Sequence, residues 1–328
     1  MRVLLLGASG LLGHNVLLQL QRCGHEPVLL LRSPLHVTFP KELASRTVKL
    51  PKSGEPFPYE LLREAAQGCD AIVNCAGTTN MALSSLDDYR PINSELPRKL
   101  IRIMDELDLK TLVHVSSANT IGYGSPNAPA DESLPMRSPF SDSFYALSKA
   151  EGERVLIEAA KDHHDYHIVI LNPGFMIGPY DAKPSSGQLL LTGFRHRLMV
   201  APKGGKAFIH VADVAATAVN ALTMGVSGQR YLLTTESLSL QEFYALQAQV
   251  MGYKQHFVAL PDAVVRVAGR VGDALQMLGI HSQLSSRNVR QLLVREYYNS
   301  QRAVKELEMP HTPIRQAIED FFLWYSHL

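Results

Sequence analysis

The segment FYALSKAEGER, at residues 144–154, carries a tyrosine and a lysine four residues apart on a predicted helix. Side chains at this spacing lie on one helix face, so Tyr145 and Lys149 are expected side by side. An ammonium near a phenol favours the tyrosinate and lowers the phenol pKa from about 10. Tyr145 is therefore a candidate for donating a proton to a carbonyl oxygen as hydride arrives, or for removing one from an alcohol. Because such pairs also arise by chance, this interpretation depends on the neighbouring elements.

Hydroxyl side chains end a predicted strand just upstream, in the segment LVHVSSANTIGYG at residues 112–124. Open parallel sheets bind their ligands at the carboxyl ends of the strands, so these hydroxyls are expected near the tyrosine. Ser117 would donate a hydrogen bond to the developing oxyanion. Ser116 and Thr120 compete for that role, and any of the three could be an ordinary strand-end cap. The predicted catalytic group is Ser117, Tyr145 and Lys149, with Thr120 as the alternative to Ser117.

The segment LLLGASGLLGHNV, at residues 4–16, joins a short apolar run to a predicted helix through three glycines. A dinucleotide needs a tight turn at the first glycine, close approach to pyrophosphate at the second, and close helix packing at the third. The amides of the turn and the positive end of the helix would meet the phosphates. A glycine-rich turn without a ligand is the alternative. The expected contacts are Gly7, Ser9, Gly10, Leu11, Leu12 and Gly13.

Five strand-like runs position these motifs, and segments of helical periodicity lie between most of them. The runs cover residues 2–6, 27–31, 70–75, 111–115 and 167–171. This alternation predicts an α/β fold, with a Rossmann-type doubly wound parallel sheet covered by helices on both faces.

The pattern changes after residue 173, where short strands and helices are scattered. The strands are expected at 230–235 and 256–260, and the helices near 212–224, 239–251 and 262–278. They indicate a smaller C-terminal α+β substrate lobe. We predict a dinucleotide-binding Rossmann domain at residues 1–172 and a mainly substrate-binding lobe at 173–328, with some segments returning to the Rossmann body.

Charge and cysteine content exclude several classes of protein. The chain has 328 residues, and 32 Lys and Arg against 31 Asp and Glu give a formal net charge of +1, so no nucleic-acid partner is expected. Cys23, Cys69 and Cys75 are too few and too widely spaced for a disulfide framework or a zinc site, which predicts reduced thiols, no metal and a cytoplasmic location. No stretch reaches the ~20 apolar residues of a membrane span, so no membrane partner is expected. The expected partner is a small molecule.

Seven motifs, in this order, make the chain similar to the extended short-chain dehydrogenase/reductase superfamily. They are GASGLLG at 7–13, CDAIVNCAG at 69–77, Asn93, VSSANTIGYG at 115–124, YALSK at 145–149, LNPGFMIGP at 171–179 and FIHVADVA at 208–215. The chain thus resembles the NAD-dependent epimerase/dehydratase family. The segments LNPGFMIGPYDAKPSSG and VLLLRSP resemble the dihydroflavonol-reductase-like branch of that superfamily most closely.

The resemblance implies a role for each matching residue. Tyr145 would be the proton donor, Lys149 would bind the nicotinamide ribose and tune Tyr145, and Ser117 would orient the carbonyl. Asn93 would support the active-site helix. The remaining cofactor contacts implied are Ala76 and Gly77, along the cofactor, and Pro173 and Gly174, beside the nicotinamide. Helices at 91–107 and 144–162 resemble those of a four-helix dimer interface, which implies a homodimer.

Two positions depart from the family pattern. The chain has Asn172 where many members have arginine. It has VKLPKS at 48–53 where relatives often carry an Asp-Leu pair bordering the adenine, so the adenine contacts are left open.

The end of the second strand, LLLRSP, bears on the choice of nicotinamide cofactor. Sites that prefer NAD place an acidic residue there to hold the ribose 2′-hydroxyl. Arg32 would instead attract a 2′-phosphate and Ser33 would hydrogen-bond it, whereas Glu26 lies at the other end of the strand. The alternative is that Arg32 is a solvated loop residue. The pattern favours NADP(H) over NAD(H).

The expected substrate pocket is largely apolar and partly aromatic. Its predicted members are Thr78, Thr79, Tyr123, Phe175, Met176 and Tyr180. This set favours an NADP(H)-dependent reductase of a ketone or aldehyde. The basic residues 195–197 leave open a nucleotide-sugar epimerase or dehydratase that recycles its hydride internally. A non-catalytic cofactor-sensing protein is the third hypothesis, which the intact Tyr145 and Lys149 pair argues against.

Overall fold

A parallel sheet of seven strands forms the centre of the molecule. The computed structural model describes residues 1–31, 47–50, 55–182, 185–278 and 284–327. The strands of this sheet are β1 (Arg2–Leu6), β2 (Glu26–Leu31), β3 (Thr47–Lys49), β4 (Ala71–Asn74), β5 (Thr111–Val115), β6 (His167–Pro173) and β10 (Arg230–Leu233). Their order is β10-β6-β5-β4-β1-β2-β3, and all neighbours are parallel. The first six strands have the 3-2-1-4-5-6 order of a dinucleotide-binding sheet, and β10 extends it.

Helices cover both faces of this sheet. They are α1 (Leu11–Arg22), α2 (Tyr59–Ala66), α3 (Arg90–Asn93), α4 (Glu95–Leu107), α5 (Phe144–Asp162) and α7 (Val211–Asn220). Successive side chains of a strand point to opposite faces, so Leu5 of β1 packs with α1 and α7 while Leu4 packs with α2, α4 and α5. Burial of each such leucine stabilises the fold by about 1.5–3 kcal/mol.

The C-terminal lobe combines two small sheets with six helices in the described residues. Its strands are β7 (Phe175–Ile177), β8 (Leu198–Ala201), β9 (Gly205–His210), β11 (Glu236–Ser239) and β12 (His256–Ala259). Its helices are α6 (Gly187–Gly193), α8 (Leu240–Val250), α9 (Asp262–Met277), α10 (Ser286–Gln291), α11 (Gln301–Glu306) and α12 (Ile314–Tyr325). One sheet has the order β11-β9-β7 and the other pairs β12 with β8. Stacked rings of Phe208 and Phe243, 4.7 Å apart, lie in its core.

The doubly wound sheet and the smaller α+β lobe are confirmed, and three details add to or differ from the sequence prediction. Strand β3 was not predicted, because three residues are too few to show a period. Strand β10, expected among the short strands after residue 173, pairs with β6 in the central sheet, so it is a segment of 173–328 that returns to the Rossmann body. The helix expected at 91–107 is interrupted at Ser94, between α3 and α4.

The thiols of Cys23, Cys69 and Cys75 are free, as expected. Burial raises the pKa of Cys69 to about 11 and that of Cys75 to about 12, so neither is a reactive thiolate. In the part of the chain that the structure describes, no group of three His, Cys, Asp or Glu side chains could hold a metal ion.

Candidate active site

The motifs singled out in the sequence meet at one edge of the central sheet. Strands β1, β4, β5 and β6 are parallel neighbours, and the pairs Leu6–Asn74, Asn74–His114 and Val115–Leu171 align their carboxyl ends. Each of these strands is followed by a predicted motif: the glycine turn, Ala76–Gly77, the Ser116–Ser117 pair or Gly174. Adjacent strand ends therefore bring residues far apart in the sequence into one site.

The turn between β1 and α1 fits the pyrophosphate of a dinucleotide. Gly7 has φ +81°, and a Cβ there would lie 2.7 Å from the amide nitrogen of Ala76. A Cβ on Gly13 would strike the carbonyl of Gly7, so helix α1 packs directly on the turn. Gly10 precedes the helix and offers no side chain to cap it, and the first turn of α1 contains no acidic residue. The amides at this helix end are therefore suited to binding an anion.

The other predicted contacts of this turn divide into two kinds. Ser9 is exposed, whereas Leu11 and Leu12 are buried in the core under the sheet. The two leucines can therefore contact a cofactor only through their backbone.

Ser117, Tyr145 and Lys149 lie together beyond the end of β5. Tyr145 is in the first turn of α5, and the Ser117 side chain lies near enough to its hydroxyl to lower the phenol pKa. One turn further along the helix, the Lys149 amine donates to the carbonyl of Val115 at 3.0 Å. The structure places the three predicted catalytic residues at one strand end and on one helix face.

The protonation of Tyr145 differs from the sequence expectation. Burial raises the pKa of Tyr145, and the Glu153 carboxylate raises it further, while the hydrogen bond with Ser117 lowers it. Burial lowers the pKa of Lys149 to about 8, an effect that Glu153 and Cys75 oppose. The net shift of the phenol is upward because burial disfavours the tyrosinate, so Tyr145 holds its proton at neutral pH.

Asn93 connects the segment after β4 to helix α5. Its side-chain oxygen accepts from the backbone N–H of Thr78 at 3.0 Å, and its amide donates to the Ser148 hydroxyl at 2.9 Å. A Cβ on Gly77 would lie 2.9 Å from the Lys149 nitrogen. Glycine at position 77 therefore leaves the space that the lysine occupies.

A buried carboxylate that the sequence analysis missed holds this region together. Glu153 is 3% exposed, and its Oε1 accepts from Ser116 at 2.5 Å, from Thr120 at 2.7 Å and from the Asn172 amide at 2.6 Å. Its Oε2 lies 3.6 Å from Arg230 of β10. We call Ser116, Thr120, Glu153, Asn172 and Arg230 the Glu153 cluster.

The Glu153 cluster bears on the choice among the three hydroxyls. Ser116 and Thr120 both donate to the carboxylate, whereas Ser117 faces Tyr145. The geometry favours Ser117 for contact with a carbonyl oxygen. A sequence signal existed, since Glu153 follows Lys149 by four residues and therefore lies on the same helix face.

The cluster also explains how the chain accommodates Asn172. This residue is fully buried and donates to Glu153, and Arg230 supplies the positive charge from the neighbouring strand. A cation near the carboxylate is thus present although it does not come from position 172.

The end of β6 approaches the C-terminal lobe closely. The Gly174 N–H donates to the carbonyl of Leu233 at 2.9 Å, and a Cβ on Gly174 would strike the carbonyl of Ala207. Pro173 pairs with Leu233 at the end of the sheet. Only glycine fits at 174 without moving β9.

The predicted pocket residues have different surroundings. Thr78 is held by Asn93, and Thr79 is exposed. Tyr123 donates to the carbonyl of Ser138 at 3.1 Å, with the Arg137 guanidinium 3.9 Å above its ring.

Three further pocket residues lie in the segment that follows β6. The half-buried Phe175 packs edge-on against Phe208 in the lobe core, and Met176 packs against the core of the central sheet. Tyr180 has φ +74° and stacks on His14 of α1 at 4.2 Å. The Tyr180 ring therefore lies against the cofactor-binding helix, and its place in the substrate pocket stays a prediction.

Two predictions concern parts of the chain outside the described residues. Arg32 and Ser33, which were expected at the cofactor ribose, follow directly after the last residue of β2. Residues 51–53, half of the VKLPKS segment that bears on the adenine, also lie outside.

Comparison with protein families places this geometry in a known group. The model of the family described as "NAD dependent epimerase/dehydratase family" matches residues 3–233. The chain belongs to that family. The resemblance inferred from the motifs is confirmed, and the protein is an NAD(P)-dependent oxidoreductase of the extended short-chain dehydrogenase/reductase type.

Two curated members of the family cover most of the chain. A protein of Synechocystis sp. named for dihydroflavonol 4-reductase activity is 28% identical over 274 residues, 81% of this chain and 79% of the relative. A protein of Stigmatella aurantiaca named 4-hydroxy-2-methyl-3-oxo-4-farnesyl-3,4-dihydroquinoline-1-oxide ketoreductase is 26% identical over 283 residues, 84% of this chain and 80% of the relative.

A solved structure shows the same fold along the full chain. The crystal structure of gox2253 superposes with a TM-score of 0.79 at 24% identity and covers 100% of this chain and 98% of its own. The likeness therefore includes the C-terminal lobe, which lies largely beyond the region matched by the family model.

Proposed function

We propose that the protein reduces a ketone or aldehyde of a small, largely apolar substrate with NADPH. The observation that carries the proposal is the contact of Ser117 with a protonated Tyr145, one helical turn from Lys149. A carbonyl oxygen placed between the two hydroxyls would accept a hydrogen bond from each. This arrangement stabilises the charge that develops on that oxygen.

The chain's own residues perform the proton chemistry. A bound nicotinamide supplies the hydride. As it arrives at the carbonyl carbon, the Tyr145 hydroxyl gives its proton to the oxygen and becomes tyrosinate. Ser117 keeps the oxygen in place, and the charge on Lys149 stabilises the tyrosinate left behind.

The residues around this site support a substrate with little charge. Phe144 and Tyr145 begin α5, and the Tyr89 ring lies 6.4 Å from the Tyr145 ring. The names of the two curated relatives point the same way, since one denotes a dihydroflavonol substrate and the other a farnesylated ketone. A panel of aromatic, alicyclic and isoprenoid ketones, assayed by NADPH oxidation, tests the proposal. Product formation with none of these ketones, together with turnover of a nucleotide sugar, would contradict it.

The preference for NADPH rests on the sequence at the end of β2. Leu29 and Leu30 of β2 pair with Leu5 and Leu6 of β1, so the two strands end at the same edge. Arg32 follows directly, and no acidic residue occurs in LLLRSP. An arginine at this point favours the 2′-phosphate of NADPH by charge-assisted hydrogen bonds.

Replacement of Arg32 tests the cofactor preference. Arg32→Asp should weaken NADPH binding by roughly tenfold to a hundredfold, because a charge-assisted bond contributes about 1.5–3 kcal/mol. NADH binding should strengthen or stay constant, because a carboxylate accepts from the ribose hydroxyl. Titration of both cofactors into wild type, Arg32→Asp and the control Arg22→Asp, an exposed arginine of α1, measures the effect. Equal affinities for the two cofactors in wild type and Arg32→Asp would refute the assignment.

A second candidate, a nucleotide-sugar epimerase or dehydratase, is favoured by two arginines near Tyr145. The Arg287 guanidinium lies 3.6 Å above the Phe144 ring, and Arg290 lies 3.6 Å from Asp142. Two cations at this place suit a diphosphate. An enzyme that recycles hydride internally retains its nicotinamide. Release of cofactor when the purified protein is denatured would therefore favour the epimerase or dehydratase, and its absence would favour the reductase.

A further inference from the structure

Helix α9 has two apolar faces, and only one of them is covered. Val265, Gly269 and Gly272 are buried, and a Cβ on Gly269 would lie 2.5 Å from Val289 of α10. The glycines therefore let α9 pack closely on α10. Most surface helices carry apolar residues only on the face that packs against the rest of the protein.

The other face of α9 presents a row of exposed valines. Val264, Val267 and Val271 are 50%, 56% and 55% exposed and follow the i, i+3, i+7 spacing of one helix face. Met277 and Leu278 at the end of the helix are 88% and 76% exposed. We call these five residues the docking stripe. A run of large apolar side chains on the surface marks an interaction site more often than isolated ones do.

Positive charge borders the docking stripe. Arg266 and Arg270 are exposed and each precedes a stripe valine by one residue, so they form a parallel row about 100° around the helix. The carboxylate of Asp273 is directed to α10, where it accepts from the Ser286 N–H at 2.9 Å. The apolar row thus has two cations beside it, and of the two acids of α9 Asp273 is engaged with α10 while Asp262 is exposed at the first residue of the helix.

The strand before α9 adds to this surface. Val258 of β12 pairs with Val200 of β8, and both are exposed, at 49% and 46%. Arg197 and Lys254, just before these strands, are exposed as well. Apolar residues with nearby cations therefore continue along the chain into α9.

We propose that the docking stripe binds the surface of a membrane that contains anionic lipids. A helix with one apolar row and basic residues beside it lies in the bilayer interface, with its apolar side chains among the acyl chains and its cations at the headgroups. None of the helices in the described ranges is long and apolar enough to cross a membrane, so the contact is peripheral.

The C-terminal end of the docking stripe lies beside a cleft. A cleft of about 630 Å³ opens between the end of α9, helix α10 and the residues before α5, and Met277 and Asp142 both line it. Asp142 precedes Tyr145 by three residues. The cleft thus lies next to the segment that begins α5, and apart from Met277 the side chains that line it are polar or charged.

Flotation with vesicles tests the docking without any assay of turnover. Wild type should bind phosphatidylcholine vesicles containing phosphatidylglycerol and bind pure phosphatidylcholine weakly. Arg266→Gln with Arg270→Gln should lower the affinity about thirtyfold, since each cation contributes about fivefold. The triple variant Val264→Ser, Val267→Ser, Val271→Ser should lower it about thirtyfold or more.

Matched controls lie on other helices. Val304→Ser on α11 and Arg315→Gln on α12 replace exposed residues of the same types and should leave binding unchanged. Equal loss in the controls, or no binding of wild type to anionic vesicles, would overturn the proposal. A third result would also overturn it: wild type is dimeric by light scattering and does not bind vesicles, and the triple variant is monomeric. The stripe would then bind a second copy of the chain. None of these measurements depends on NADPH oxidation. Failure of the docking proposal can therefore be distinguished from failure of the proposed reductase function.

Discussion

Two regions of the molecule, the Glu153 cluster and the docking stripe, use opposite kinds of contact. In the Glu153 cluster, one buried carboxylate accepts three hydrogen bonds and faces one arginine. In the docking stripe, five apolar side chains are exposed to solvent. Directional bonds fix the cluster in one geometry, as proton transfer requires, whereas apolar contacts are non-directional and tolerate a fluid partner. Substitutions in the Glu153 cluster should therefore alter catalysis and stability, whereas substitutions in the docking stripe should alter membrane binding alone.

The largest effect is expected for the proton donor. Tyr145→Phe keeps the ring and removes the exchangeable proton, so turnover should fall by roughly 10²–10⁴-fold with cofactor affinity little changed. The nearby Tyr89→Phe, which loses a bond to the carbonyl of Asn80, is the control. Steady-state NADPH oxidation measures both, and comparable turnover of the two variants would remove Tyr145 from the chemistry.

Loss of the charge on Glu153 should have the next largest effect. Glu153→Gln leaves Arg230 without its buried counter-charge, so the free energy of unfolding should fall by about 3 kcal/mol or more. Denaturant unfolding measures it, with Glu158→Gln, an exposed residue of the same helix, as the control. Because Glu153 raises the pKa of Lys149, the pH profile of turnover should also move to lower pH. An unchanged profile with lost stability would make Glu153 purely structural.

The pH dependence of the wild type should reflect Lys149. Its pKa is lowered to about 8, so the amine is charged below that pH and neutral above it. Tyr145, with a raised pKa, keeps its proton throughout this range. Turnover in the direction of reduction should thus be constant near neutral pH and fall about tenfold per pH unit well above 8. A flat profile up to pH 10 would show that the charge on Lys149 is not needed.

The smallest effect is expected for the docking stripe. The triple serine variant changes exposed residues, so each substitution should alter the free energy of unfolding by no more than about 0.5 kcal/mol. Reduction of a water-soluble ketone should continue at the wild-type rate, while reduction of a ketone embedded in anionic vesicles should slow. Thermal unfolding and paired assays measure these outcomes. Equal slowing with both ketones would show that the docking stripe, like the Glu153 cluster, affects catalysis itself.

Much of the site could be predicted from the sequence because it is built on local patterns. Tyr145 and Lys149 share one helix turn, and the helix expected at about 144–162 agrees with the observed α5. The glycine turn and the hydroxyls after β5 follow strands that an apolar run reveals. These features depend on neighbours in the chain.

The features that were missed depend on neighbours in space. A short apolar run shows that Arg230–Leu233 is a strand, but not that it pairs with β6. Glu153 reads as an ordinary polar helix residue until the ends of β5, β6 and β10 surround it. The valines of α9 fit the helical period that a core helix would also show, so the period did not reveal which face stays exposed.

The position of β10 at the edge of the central sheet has a consequence for how the protein is made. A ribosome releases β6 well before Arg230–Leu233, so the outer edge of β6 has unpaired backbone groups during synthesis. Unpaired strand edges can pair with other chains. Contacts between segments that are far apart in the sequence form slowly. Arg230 is also the counter-charge of Glu153. Pairing of β10 with β6 therefore covers this edge and brings Arg230 to Glu153 at the same time.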